Sequence, residues 1–477
     1  MYNLLDESWI PMLYADGRFE RVGIRTALAD AGKIRQIAAS NPMDRVALLR
    51  FLMAIIYWCR GNPPAQEEKN RLLAAGQFPS GWFSRLEEQK TCFDLLGREN
   101  RFYQDRKYAD HEAAHTINYL IQEVPSGTNK WHFRHSTDMV DGLCRPCCAQ
   151  GLIRLPAFAT SAGKGMSPAT GKSPGINSKP PLYVLPVGKS LFTTLFLLWQ
   201  ACKGELGSPG WIDAGHGLPA NGEVPFLTGL TWLPRSIWLA DPEKEESVCI
   251  SCGRMDRLIR RCVFDGKGSI KSEGRYWRDP HVIYQASAQD KPLQTSNALG
   301  STDSAAGDWA LQLADILATR AAIEPSRLLV VGFSTVQNDK YLEASDWRIP
   351  EGTGSKNGLE LAANLKRWGK SVEKLTRRAR PRGSKRKHGE VRAAIDSIVP
   401  QVETRIAQRI GDSFANEAWD QAAAEYIPMM RTVGKSLFPG FTTRAVQQRT
   451  EIAQAVPDPR RNPPKTRKSD IKQGAGQ

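Results

Sequence analysis

Two C-x-x-C hooks, Cys144-Arg145-Pro146-Cys147 and Cys249-Ile250-Ser251-Cys252, constrain this chain more than any other feature. Each hook puts two sulfurs on one side of a tight turn, and a pair of hooks is the usual way to present four thiolates to one tetrahedral zinc. A zinc ribbon separates its hooks by roughly 15 to 20 residues, whereas residues 148–248 intervene here. The cofactor expected is therefore a structural Zn2+ that clips together the two ends of a large domain. The segment between the hooks is expected to be the working part.

A length of 477 residues exceeds one ordinary core, and about 150 residues per domain predicts two or three units. Lys and Arg outnumber Asp and Glu by 65 to 50, a net charge of +15 that favours a polyanionic partner. Asp6, Glu7 and Asp16 interrupt any secretory leader pattern, and the longest apolar run, Val46 to Tyr57, contains Arg50 and is too short to cross a bilayer. Nine cysteines, partly clustered as hooks, predict a cytoplasmic protein with reduced thiols and no membrane partner.

The chain opens on a predicted β-hairpin, with Trp9 to Met12 and Arg21 to Ile24 flanking an Ala15-Asp16-Gly17 turn. Asn41, with Pro42 behind it, caps a predicted helix through Trp58 that is apolar nearly all round and hence buried. Trp82, Phe83 and Phe93 are expected core anchors. Pro180 to Pro186 predicts a strand, and Ser190 caps a helix in which Leu191, Leu195, Leu198 and Trp199 recur at core spacing. Trp232 to Leu239 predicts a strand that Pro234 confines to a sheet edge or a break. Val263 to Lys271 reads as a hairpin with lysines near its tip, and Asp308 to Ala321 as a helix. Arg327 to Phe333 and Leu342 to Ile349 read as strands around a polar turn that carries Gln337 and Asn338, side chains able both to donate and to accept.

His111-Glu112-Ala113-Ala114-His115 is the motif that points to an enzyme. On a helix, its histidines would share a face and hold zinc while Glu112 activates water, giving a zinc-dependent hydrolase as the alternative reading. The bland reading is a surface helix packing Ile117, Leu120 and Ile121. The stretch Ser161 to Gly175 is rich in glycine and lysine, yet it misses a P-loop: Gly165 to Gly171-Lys172-Ser173 is one residue too long, and Pro174 blocks the helix that must follow. Nucleotide hydrolysis is excluded, and what remains is a backbone able to approach a groove closely. Pro125 to Lys130 is a loop leading to Trp131, His132 and Phe133, an interleaving of cations and aromatics suited to unstacked bases.

Pro350 to Gly358 is the clearest domain boundary. The expected fold is α+β: a large mixed domain over residues 1–350 carrying the zinc clip, a four-helix bundle over 351–456, and a basic disordered tail over 457–477. Between the first two helices of the bundle, Arg377, Arg378, Arg380, Lys385, Arg386 and Lys387 form a loop too charged to pack, suited to DNA phosphates.

Taken in order, Asn3 to Pro11, the Pro125-to-Phe133 loop, the two hooks, Pro174 to Asn177 with Pro180 to Tyr183, and the Gly332-to-Asn338 turn resemble the large subunit (CasA type) of type I-E CRISPR Cascade complexes. The resemblance implies recognition without catalysis. It implies a clamp on the 5′ handle of the guide RNA that reads the protospacer-adjacent motif from the minor groove of double-stranded DNA and begins to open it. Backbone and small Cascade subunits and a recruited helicase-nuclease are the implied protein partners. Carried onto this sequence, Gly163, Lys164 and Gly165 are the loop against the groove, Gln337 the wedge with Asn338 beside it, and Lys267 or Lys271 the lysine finger. Asn129, Lys130 and Phe133 are the contacts to guide RNA. The zinc ligands are Cys144, Cys147, Cys249 and Cys252, with Cys148 able to compete for a place in the first hook.

Overall fold

The computed structural model describes residues 2–121, 142–159, 181–202, 204–212, 214, 217–267, 275–282, 327–336 and 339–348. The protein divides into two compact units, Met1–Leu299 with Pro325–Trp347, and Gly300–Glu324 with Arg348–Gln477. Every described residue except Arg348 lies in the first. The predicted helix at 308–321, the bundle over 351–456 and the tail over 457–477 lie outside the described residues.

The opening hairpin forms as its sequence requires. Strands β1 (Ile10–Tyr14) and β2 (Phe19–Val22) pair antiparallel across a turn in which Gly17 takes φ +88°, a conformation that an L side chain resists. Helix α1 (Ile24–Ala29) follows, and β3 (Ile34–Ile37) returns on the other side of β1. Ile10, Met12 and Tyr14 alternate onto the buried face, the period-two pattern of a half-covered sheet.

Helix α2 (Pro42–Arg60) begins as predicted, its first turn capped by the Asn41 side chain, which accepts from Met43 N at 2.9 Å. It is buried on nearly every face, Arg50 included. Helices α3 (Gln66–Ala75) and α4 (Ser84–Glu88) lead to an aromatic cluster in which Phe51, Trp58, Phe93, Phe102 and Trp211 meet edge-on, tilted or stacked at centroid distances of 5.4 to 6.2 Å. Phe93 is fully enclosed there, whereas Trp82 and Phe83 are only half-buried. Trp82 instead lies under the Arg60 guanidinium at 4.3 Å.

The short strand β4 (His115–Thr116) precedes α5 (Arg145–Phe158), which lies against α2. Gly151 of α5 permits close packing on the preceding segment, since a Cβ there would stand 2.8 Å from Leu120 Cβ. Strand β5 (Tyr183–Val187) and helix α6 (Leu191–Leu198) match the predicted strand and helix, with Ser190 and Thr193 forming a reciprocal capping box. Strand β6 (Gly222–Glu223) and helix α7 (Phe226–Leu230) come next, followed by β7 (Arg235–Leu239), β8 (Glu246–Val248), β9 (Met255–Arg257), β10 (Arg261–Gly266) and β11 (Arg275–Tyr276). Strands β12 (Arg327–Val336) and β13 (Asp339–Arg348) close the series.

Among the described residues the later strands form sheets in the orders β4-β10-β7 and β13-β12-β5, with β8 and β9 as a separate hairpin and β6 parallel to β11. Strand β7 starts just after Pro234 and sits at a sheet edge, where the missing N–H of proline costs no ladder bond. Only the first half of the hairpin expected at Val263 to Lys271 is described, residues 268–271 lying outside the described residues. That first half is β10, which pairs with β7 and β4, and the next described strand, β11, pairs with β6.

Two buried ion pairs tie α2 to its surroundings. Arg154 of α5 holds Asp44 at 2.7 Å, and Arg50 holds Asp279 at 2.7 Å, all four side chains at most 9% exposed. Removing one partner of such a pair leaves a charge in a poorly solvating interior. Asp44→Ala is therefore expected to lower unfolding free energy by about 3 to 5 kcal/mol, measured by urea denaturation. Glu68→Ala, whose partner Arg60 is 4.0 Å away and as open to solvent as Glu68 itself, is expected to cost less than about 0.5 kcal/mol.

Candidate metal centre

The two hooks meet. The sulfurs of Cys144, Cys147, Cys249 and Cys252 all lie within 4.8 Å of one another, the first three buried and Cys252 half-buried. Cys144 is the N-cap of α5, so the first hook is the opening turn of a helix, where residues three apart share a side. This differs from the tight turn that the spacing suggested and reaches the same result. The second hook is a turn between β8 and β9, closed by Cys249 N donating to Arg254 O at 2.8 Å.

Cys148 is not part of the cluster. It is fully enclosed, with Sγ 3.9 Å from Leu143 O, and burial pushes its thiol well above the usual range. The helix settles which residue completes the first hook, because residues 147 and 148 lie about 100° apart around its axis.

Cys144 Sγ and Cys252 Sγ stand 3.6 Å apart. A tetrahedral ion with metal–sulfur bonds of about 2.3 Å sets its ligands about 3.8 Å apart, so the spacing fits. Hydrogen bonds among the crowded sulfurs couple their protonation. Cys249 is held far below the ordinary thiol range by hydrogen bonds from Cys144, Cys147 and Cys252, and Cys252 is pulled down to about 6 by those from Cys144 and Cys147. Cys147 is driven far up by Cys144, Cys249 and Cys252 together with burial. A divalent cation removes this competition, because every ligand then binds as thiolate. The four-sulfur donor set can hold a metal ion.

Further ties join the same two segments. Asp256 of β9 accepts from Arg145 N at 3.1 Å, capping α5, and pairs with the Arg145 guanidinium at 2.5 Å. Leu143 and Ile259 exchange backbone hydrogen bonds of 3.0 and 2.8 Å. Neither Asp256 nor Ile259 stands out in the sequence. The only available signal was an acid shortly after the second hook, which one chain cannot distinguish from a solvated charge.

The His111 motif does not form the expected site. His111 and Glu112 are exposed and lie outside any helix, while His115 belongs to β4, paired with Cys262 of β10. The alternation of a strand, and not the period of a helix, governs His115, so the shared helical face is absent. Among the described residues the hook sulfurs form the metal-competent cluster. Ile117 and Leu120 are buried as expected, on a short 3-10 turn, Ile117–Leu120.

A family model described as CRISPR-associated protein Cse1 matches residues 3–299 of the 477. The chain belongs to the Cse1 family. A curated Cse1 relative, the CasA/Cse1 protein of Thermus thermophilus, is 28% identical over 257 residues, 50% of this chain and 49% of that protein. The chain thus spans about half the length of that curated relative. The fold is similar to the solved T. thermophilus CasA (TM-score 0.67, 18% identity, covering 95% of this chain and 99% of that one). It is also similar to Thermobifida fusca Cse1 (TM-score 0.69, 17% identity, 95% and 98%). A chain of a CRISPR RNA-guided surveillance complex matches at TM-score 0.64 and 16% identity, covering 95% and 99%.

Of the nucleic-acid candidates in this Cse1 chain, Lys267 alone is described. Its ammonium donates to Ala214 O and lies 4.5 Å over the Trp232 ring, contacts that hold it against the protein. Asn129, Lys130, Phe133, Gly163, Lys164, Gly165, Lys271, Gln337, Asn338, Arg377, Arg378, Arg380, Lys385, Arg386 and Lys387 lie outside the described residues.

Elemental analysis of purified protein is expected to find one divalent ion per chain. Cys249→Ser should abolish it, and Cys148→Ser should retain it. Retention in the first and loss in the second would reverse the ligand assignment.

Proposed function

We propose that the chain is the large, non-catalytic subunit of a type I-E CRISPR RNA-guided surveillance complex. In this reading it recognises the protospacer-adjacent motif of double-stranded DNA from the minor groove, starts unwinding, and helps recruit a helicase-nuclease. The observation that carries the reading is the strand pair on either side of residues 337 and 338. Strand β12 is paired with β5 from Arg327↔Val187 to Val331↔Tyr183, then continues to Val336, with β13 beside it beginning at Asp339. A long strand pair reaching Val336 and resuming at Asp339 is the kind of mount that a wedge requires, and this supports the reading.

Gln337 in this reading enters beneath the motif and parts the first base pair, with Asn338 alongside. Unstacking costs roughly a few kcal/mol per step. Phosphate contacts from Arg377, Arg378, Arg380, Lys385, Arg386 and Lys387 offset that cost, as does the heteroduplex that the guide forms. Gly163, Lys164 and Gly165 lie against the groove where a larger side chain would clash. Minor-groove reading is degenerate, so few contacts give a permissive motif while base pairing supplies sequence. Asn129, Lys130 and Phe133 hold the 5′ handle of the guide RNA. Because the Lys267 ammonium is engaged by Ala214 and Trp232, Lys271 is the better lysine finger. The ion held by the four hook cysteines is zinc, the usual occupant of a closed tetrahedral thiolate set, and its role is structural.

The deciding experiment uses the reconstituted guide-RNA complex on duplex and on pre-opened target. Gln337→Ala is expected to weaken duplex binding at least about tenfold while leaving the pre-opened target unaffected. Equal binding of both substrates by mutant and wild type removes the wedge. Replacing the six basic-loop residues by alanine should flatten the salt dependence of duplex binding, by about 0.9 in log–log slope for each phosphate no longer neutralised. An unchanged slope means that this loop does not touch DNA.

A further inference from the structure

Where β12 leaves β5, a buried charged network stands behind it. Tyr183 is the last β5 residue paired with β12, opposite Val331. Tyr183 also bridges Val282 in antiparallel fashion, and Val184 N donates to His281 O at 3.0 Å. The segment Asp279–Val282 therefore backs this end of β5 on the side away from β12. It is fixed in turn to α2. Arg50 donates to Asp279 Oδ1 at 2.7 Å, lies 3.2 Å from His281 Nδ1, and sets its guanidinium 4.9 Å over the Tyr183 ring. His281 N donates to the same Asp279 oxygen at 2.9 Å. Arg50, Asp279 and His281 are at most 4% exposed.

We infer that Arg50, Asp279 and His281 are positioning residues for Gln337 and Asn338, a footing that fixes the direction in which the β12–β13 pair leaves the core. The inference rests on the wedge reading of Gln337. A buried ion pair is a poor way to gain stability, because apolar residues of the same volume often do as well or better. What it adds is direction: a planar fork that meets its carboxylate, its imidazole and its aromatic ring in one arrangement. That arrangement is placed where direction matters. Val331 and Phe333 are still buried, and from Phe333 to Val336 the strand runs about 10 Å at about 3.3 Å per residue. A tilt of about 5° passed along the strand from Tyr183 thus moves the far end by about 1 Å relative to Phe333, enough to spoil a placed contact. The end of the strand pair is no better aligned than the point from which it leaves.

The test uses the reconstituted complex carrying Asp279→Asn, which keeps an acceptor for His281 N but loses the charge, or Arg50→Lys, which keeps the charge but loses the fork. Each is expected to weaken duplex binding about tenfold and binding to a pre-opened target less than about twofold. Adding Gln337→Ala should cost nothing more on duplex, since both changes disable one device. Equal loss on both substrates, including loss through failure to join the complex, makes the network a general stability element and overturns the inference. Losses that simply add to that of Gln337→Ala overturn it as well. If Gln337→Ala alone is neutral on duplex, the wedge reading fails and the footing falls with it. If Gln337→Ala is defective while Asp279→Asn and Arg50→Lys are neutral, the wedge stands and only the footing is overturned.

Discussion

Four sulfurs within 4.8 Å of one another bring the start of α5 and the β8–β9 turn to one point, although residues 148–248 separate the hooks. Closing so long a loop is entropically expensive, and the cost grows only slowly with further length. A single ion can therefore hold a span this long almost as cheaply as a shorter one. The Asp256 cap on α5 and the Leu143–Ile259 backbone pair act at the same junction. Once α5 is fixed there, its Arg154 reaches Asp44 and its apolar face covers α2, so that the junction sets the placement of the central helix.

Local chemistry was legible wherever a short sequence settles its own geometry. The Asn41-Pro42 cap, the Ser190 cap with its Leu191, Leu195 and Leu198 face, the Gly17 turn and the edge position after Pro234 each depend on a few adjacent residues. The sequence reading failed where the partner is remote. His115 has helical spacing from His111, yet its strand is set by Cys262. Propensity describes what a segment tolerates, and burial against the rest of the chain decides among the tolerated forms.

The same division holds at the metal centre. The hook spacing identified Cys144, Cys147, Cys249 and Cys252, and the structure brings these four together. The exclusion of Cys148 needed a helix phase that the hook alone does not reveal. Asp256 needed the fold itself, since its role depends on where the α5 N-terminus arrives. Arg50 was visible only as an interruption in an apolar run, and its meaning comes from Asp279, far along the chain, which no periodicity connects to it.

The uneven burial of the four sulfurs has a kinetic consequence. Cys144, Cys147 and Cys249 are enclosed, whereas Cys252 is half-exposed on the turn between β8 and β9. A competing thiol, chelator or oxidant from solution meets that sulfur first. Ion exchange can then proceed by stepwise ligand replacement at one corner of the tetrahedron, while α5 and its Asp256 cap stay in place. A metal ion held by this donor set would be enclosed by three sulfurs and open to exchange at the fourth, Cys252.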